Sequence, residues 1–211
     1  MRQPFPAVAP NLRIVLTGPP DALGRGKLAF SINPMLTALV AYRTRPDTFE
    51  SLILDERHAQ AWRMNRQDVW YTALRNMAAD RVDVQTFPTQ TDADTTLNVV
   101  RGVGWPAAPQ LMRLPEIARD PMPYGAVAVL PDTNMMLYFV LRTQRSRKLL
   151  PFVYDVFRNL SRDHHPVTDQ IMWYRAGRVK AIPARPDPSG QGVQIMRDDE
   201  FDHVLERELP R

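Results

Sequence analysis

The chain contains no cysteine, which excludes disulfides, thiolate metal centres and cysteine nucleophiles. Lysine is nearly absent too, at three residues against 24 arginines. No window approaches the roughly 18 consecutive apolar residues of a membrane-spanning helix. The longest apolar runs, 125–130 and 135–141, have the length of strands. The opening Met1-Arg2-Gln3-Pro4-Phe5-Pro6 lacks the continuous apolar segment and cleavage pattern of a secretory signal. The expectation is therefore a protein of the cytoplasm with no membrane partner.

What is present points to a folded protein. At 211 residues, with 44% hydrophobic and 24% charged, the chain suits one domain with a real core and an ordinary polar surface. Its twenty prolines cluster at the ends and at 106–123 and spare the periodic segments, which means stiff loops rather than disorder. The net charge is +4. Arginine binds carboxylate and phosphate bidentately, so the Arg bias is open to an anionic partner. A coding sequence rich in G and C, which favours Arg, Ala and Pro together, explains it as well.

Periodicity places the elements. Residues 12–16 read as a short strand ended by Gly18-Pro19-Pro20. Asn33 before Pro34 has the chemistry of a helix start, and Met35, Leu36, Leu39 and Val40 would give that helix a buried face up to Thr44. A second helical region spans 55–79, with Trp62, Val69, Trp70, Ala73, Leu74 and Met77 recurring at spacings of three and four. Asn65, with Asp68 three residues on, marks a break near Met64. Residues 82–87 and 95–101 read as a hairpin around 88–94. Trp105 falls in a loop, where it is expected to line a surface pocket. Residues 110–119 read as a short helix interrupted at Pro115. Strands at 125–130 and 135–141 follow, joined by Pro131-Asp132-Thr133-Asn134. Then come a helix over 149–160, strands at 170–174 and 179–183, an edge strand at 192–196 and an acidic terminal helix. Short connections between strands favour α+β with a mainly antiparallel sheet packed by helices. The organisation expected is a single domain over 1–211, with 1–10 a Pro-rich arm and 197–211 the acidic helix.

The segment from Gly18 to Lys27 resembles a phosphate loop but has seven residues between Gly18 and Gly26-Lys27, where that motif needs four. Leu28 also stands where a Ser or Thr would hold magnesium. His164-His165 with Asp169 raises a metal site. Adjacent extended side chains point to opposite faces, so a site would also need Asp163, His58 or His203. No serine lies in a nucleophile elbow. Glu50, Asp55, Glu56 and Asp68 sit around helix starts, where the helix dipole favours them. No catalytic residue, metal site or cofactor is assigned.

The charge distribution is more informative. From Arg142 to Lys180 there are nine Arg and Lys against Asp155, Asp163 and Asp169, a local charge of +6. Arg158 and Arg162 share a helical face, and Tyr154, Trp173 and Tyr174 lie nearby. Basic and aromatic side chains together suit nucleic-acid contact, although no nucleic-acid motif is present. The acidic end, with Asp198, Asp199, Glu200, Asp202, Glu206 and Glu208, offers the alternative of folding back to neutralise this charge.

Three stretches carry a family resemblance: Asp68-Val69-Trp70-Tyr71-Thr72-Ala73-Leu74-Arg75-Asn76-Met77, then Val127-Ala128-Val129-Leu130-Pro131-Asp132, then Phe152-Val153-Tyr154 through His165-Pro166-Val167-Thr168 to Tyr174. Together they resemble the YtpQ-type bacterial proteins of unknown function over roughly 66–183. Asp132 directly follows Pro131 with no Arg, a departure from that family's turn. The resemblance implies a soluble intracellular bacterial protein of mixed α+β structure and supplies no catalytic residues. The resulting expectation is a non-catalytic binding protein of the protein-interaction or immunity type. Its surface would be Arg145, Arg147, Arg158, Arg162, His164 and His165, facing an acidic protein partner. A metal-assisted hydrolase using the histidine loop and a nucleic-acid binder are the alternatives.

Overall fold

Leu12, Ile14 and Leu16 alternate with Arg13, Val15 and Thr17, and this period of two builds strand β1 (Leu12–Thr17). The computed structural model describes residues 3–19, 26–45, 48–89, 95–162, 165–188 and 192–211. Ahead of β1, the Pro-rich N-terminal segment folds into a short helix α1 (Phe5–Val8) and a 3-10 turn. Val8 is fully buried. The Phe5 ring packs on Trp62 at 5.6 Å, and the Trp62 indole donates to the Gln3 carbonyl.

The helix expected from Asn33 to Thr44 is instead a hairpin, β2 (Ala29–Asn33) and β3 (Leu36–Arg43). Asn33 does not cap a helix. Its Oδ1 accepts the Met35 amide at 2.9 Å and closes the turn around Pro34 and Met35. Residues 36–41 are all buried. An apolar run broken only by Thr37 matches the three-and-four spacing of a helix by default, so periodicity cannot separate the two. Strand β3 pairs with β1 and β2, and with β4 (Ser51–Ile53) beyond β2.

Helices α2 (Glu56–Ala61) and α3 (Arg66–Asn76) divide as their spacing indicates, with the Asn65 side chain accepting the Gln67 amide. A six-stranded antiparallel sheet follows, in the order β10-β9-β7-β8-β6-β5. It is built from β5 (Arg81–Pro88), β6 (Thr96–Val103), β7 (Ala126–Asp132), β8 (Met135–Val140), β9 (Ile171–Arg175) and β10 (Arg178–Ile182). The turn between β9 and β10 is Ala176-Gly177, both at positive φ, the geometry that matches strand twist. Between β6 and β7 run a 3-10 segment (Ala108–Arg113) and α4 (Leu114–Ala118), with Pro115 in the first helical turn rather than as an interruption. Helix α5 (Leu149–Leu160) precedes β9. The edge strand expected at 192–196 is β12 (Val193–Ile195), in a separate ribbon with β11 (Ala184–Pro186). The chain closes through α6 (Asp199–His203) and a π-helical turn (Val204–Glu208). The architecture is α+β, with mainly antiparallel sheets packed by helices. Among the described residues no helix is long and apolar enough to cross a membrane.

The middle strands of the large sheet, β7, β8 and β9, are buried on both faces, whereas the edge strand β5 is largely exposed. Ala126, Ala128, Leu130, Met136 and Tyr138 enter a core shared with β1, β3 and α3. Val127, Val129, Leu137 and Phe139 enter a second core with α5, α6 and β11. Double burial explains why β7 and β8 read as unbroken apolar runs.

Buried polar contacts fix these parts relative to one another. Trp105 does not line a pocket. It is 1% exposed, and its indole donates to the edge carbonyl of Ile14 at 2.9 Å. The Asn134 Oδ1 accepts the amides of Gly102 and Ala107, and a Cβ at Gly102 would stand 1.8 Å from the Trp105 carbonyl oxygen. Arg13 Nε lies 2.9 and 2.8 Å from the two oxygens of Asp80, while Arg43 approaches the same carboxylate at 3.5 Å. The Asp80 side chain is 3% exposed. Burial first, and Arg13 second, lower the Arg43 pKa. Removing one partner of a buried pair leaves charge uncompensated. Asp80→Asn, which keeps the size and loses the charge, is expected to destabilise the protein by about 3–5 kcal/mol, read as a fall in urea midpoint. A loss below about 1 kcal/mol would place this pair among surface bridges in energetic weight.

Candidate functional site

Helix α5 separates the basic residues read from the sequence. Arg145 and Arg147 lie in the 3-10 turn before it (Gln144–Lys148), Arg158 in its last turn and Arg162 just beyond. At about 1.5 Å per residue the two groups stand roughly 15 Å apart. Arg145, Arg147, Arg162 and His165 are exposed. His164 and Asp163 lie outside the described residues, as do residues 20–25 of the Gly/Pro loop and 90–94 of the hairpin tip. Lys27, at the end of that loop, pairs with Asp55 at 3.0 Å. His58 Nδ1 accepts the Asp55 amide and caps α2. Among the described residues no three His, Asp or Glu side chains converge as a metal group would require.

The rest of the basic stretch is matched by acid. Arg175 pairs with Glu208 at 2.7 Å, Arg178 with Glu200 at 3.2 Å, and Lys180 with Asp198 at 2.8 Å and Glu200 at 3.3 Å. The acidic end folds back onto the β9–β10 hairpin. It is held there by packing as well as charge, because Phe201, Val204, Leu205 and Leu209 are buried in the second core and Phe201 lies 5.1 Å from Trp173.

A groove opens beside this clamp. It measures about 780 Å³ and runs between the β2–β3 turn, α3 and the β9–β10 hairpin. Its floor is half-buried and apolar, with Ile32, Trp70, Leu74, Met112, Val179 and Ala181. Trp70 is set by packing on Phe30 at 4.6 Å, and Phe30 in turn lies under the Arg66 guanidinium. Arg175, Arg178, Lys180 and Glu200 form one rim. Past Leu74 and Met112 the groove continues into a second recess of about 720 Å³ along α3, edged by Asp68, Arg75 and the ion-paired Arg113 and Glu116. Tyr71, 63% exposed, stands over it.

The sequence alone does not reveal this groove, because Asn33 and Pro34, which edge it, read as a helix start rather than as the turn of a hairpin. Trp70 and Leu74 were legible as the apolar face of α3, but they stand at the edge of that face and are only half covered. No protein-family model, curated protein or solved structure matches the chain.

The clamp titrates at both ends of the pH scale. Burial pushes the Asp198 carboxyl up, but the Lys180 ammonium and the capped Phe201 amide together outweigh it and hold the group below its ordinary value. The hydrogen bond to Asp198, ahead of a smaller opposing effect of burial, holds Lys180 above its own. A depressed carboxyl adds stability that is present above its unfolded pKa of about 4 and lost as pH falls toward the folded value. A raised amine adds stability that is present below about 10.4 and lost as pH rises through the folded value. Asp198→Asn keeps an oxygen for the Phe201 amide and removes the charge. It is expected to flatten the decline in urea midpoint from roughly pH 5 to pH 3. An acid limb as steep as that of the parent protein would show that other carboxylates set it.

Proposed function

We propose that the chain is a non-catalytic protein-binding module of a bacterial cytoplasm, and that its partner seats along α3 and under the β9–β10 turn. The observation that carries this reading is the make-up of the groove, an apolar floor of Trp, Leu, Met and Ile inside a rim of both charge signs. Protein interfaces have that anatomy, with aromatic, Met and Arg side chains enriched at the centre and polar groups outside. The exposed Tyr71 supplies an amphipathic anchor at its edge. An immunity or inhibitor protein works in this way, by covering a partner's working surface. Arg145 and Arg147 at one end of α5, and Arg158, Arg162 and His165 at the other, are not among the residues that line the groove. Spread over the length of α5, they suit the steering of an acidic partner better than its retention. The resemblance to the YtpQ-type proteins supports the bacterial, intracellular setting and adds no activity.

A photo-crosslinking amino acid placed at Tyr71 in the bacterial host is expected to give one discrete protein adduct. Leu74→Arg in the same chain should abolish it, and the same probe at Arg162 should give none. A smear of adducts, or one indifferent to Leu74→Arg, would overturn the groove assignment. A labelled single-stranded oligonucleotide provides the second arm. Little binding is expected, because three of the cations near the groove already face carboxylates. Tight binding that falls steeply with salt would move the reading to nucleic acid.

A further inference from the structure

One polar row, with Thr96 beside it, crosses a mainly apolar face of the large sheet. Thr86 of β5 stands opposite Asn98 of β6, and Asn98 opposite Tyr138 of β8, so the three side chains lie abreast. Their neighbours on that face, Val100, Met136, Val140 and Ala128, belong to the larger core. Asn is disfavoured in strands, and polar groups there are costly unless satisfied. Two of the three are satisfied. The Thr86 hydroxyl donates to Asn98 Oδ1 at 2.8 Å, and Asn98 Nδ2 donates to the Thr96 carbonyl at 3.3 Å. The Tyr138 ring is buried, while its hydroxyl, which has no hydrogen-bond partner among the described residues, is not one of the buried unpartnered polar atoms.

Tyr138 lines a recess of about 200 Å³. Ile117 of α4, Asp120 and Arg142 line it too. Arg119, at φ 56°, ends α4 in the left-handed conformation and turns the chain so that Asp120 follows at the recess. There Arg142 Nη2 donates to Asp120 Oδ2 at 2.9 Å. That single contact leaves other guanidinium N–H groups and the second carboxylate oxygen available. The recess has room for about seven water molecules at the ~30 Å³ each occupies in the liquid.

We infer that this recess binds a small zwitterion of the α-amino-acid class. Its carboxylate would lie on Arg142 and the Tyr138 hydroxyl, its ammonium on Asp120, and its short side chain against Ile117. The pair of opposite charges argues for this class. Arg142 alone would select any anion and Asp120 alone any cation, but side by side they complement a molecule that carries both charges within a few bonds. Such a pair also carries no net charge to favour a simple ion of either sign. The neutral hydrogen-bonding wall behind it gives the ligand a partner that is not charged. This site is separate from the groove and does not depend on the proposal made for it.

Calorimetric titration with serine and alanine tests the inference, with acetate, ethylamine and glycerol as size-matched probes. Serine or alanine is expected to bind saturably in the millimolar range or tighter and the three probes far more weakly. Arg142→Gln should weaken binding about tenfold or more, and Tyr138→Phe several-fold, in line with the loss of one hydrogen bond to a charged group. Tyr138→Phe removes no internal hydrogen bond, so its thermal midpoint without ligand should match the parent, which separates a binding effect from a folding one. Equal binding of glycerol or acetate would overturn the zwitterion assignment. So would the absence of any amino-acid binding, or parental affinity in Tyr138→Phe.

Discussion

The buried carboxylate of Asp80 is the point from which the arrangement of the sheets follows. It ends the helical region and immediately precedes β5, the edge strand of the large sheet. Its partners, Arg13 and Arg43, belong to β1 and β3 of the smaller sheet. One ionic contact thus ties the two sheets where the chain passes between them. Arg13 adds bonds to the Pro10 and Leu12 carbonyls, and Asn76 bonds Ala9 and Leu12 from α3. A buried ion pair is weak evidence of net stability, since desolvation offsets much of its attraction. Its consequence here is geometric. Slippage of the smaller sheet against the chain at Asp80 would leave two guanidinium groups, Arg13 of β1 and Arg43 of β3, without their carboxylate, so the alternatives to this packing are costly. The groove borrows that rigidity, because its walls come from the smaller sheet, α3 and the large sheet together.

Much of this fold was legible wherever local chemistry and periodicity agreed. The α2–α3 break, the β7–β8 hairpin and the β9–β10 pair combine a clear pattern with a distinctive turn or cap, while α5 and the strands β5 and β6 were legible from periodicity alone. The β2–β3 hairpin failed for a specific reason. Asn-Pro serves a helix start and a tight turn equally well, and Leu36–Val40 is apolar at every position but one, so neither cap nor period could decide. Tertiary pairing with β1 decided it. Trp105 failed differently: a Gly-Trp-Pro loop looks exposed locally, but the Ile14 carbonyl that it meets is 91 residues away. The sites were harder to see than the fold. Both the groove and the Thr86–Asn98–Tyr138 row exist only through strand register and sheet packing, which join residues far apart in the chain.

Charge shows the same limit. A local excess of +6 along 142–180 looked like a surface, yet three of its cations meet Asp198, Glu200 and Glu208, and Arg142 meets Asp120. Counting charge along the chain measures composition, whereas potential at a surface depends on which carboxylates fold against which cations. The cations of this stretch with no ion pair among the described residues are divided between the two ends of α5. An acidic partner would then meet two weak patches rather than one strong one, which favours an effect on association rate over one on lifetime.

Helix α4 links the two candidate sites physically. Glu116 edges the groove extension, while Ile117 and Ala118 wall the polar recess. Five residues are too few to hold a helix by themselves; Leu114, fully buried, anchors it in the larger core. A rigid anchor with one face toward each site means that any tilt of α4 changes both at once. Coupling between a ligand in the recess and a partner in the groove can then arise only from a difference in how each holds α4. By linkage that difference must act equally in both directions.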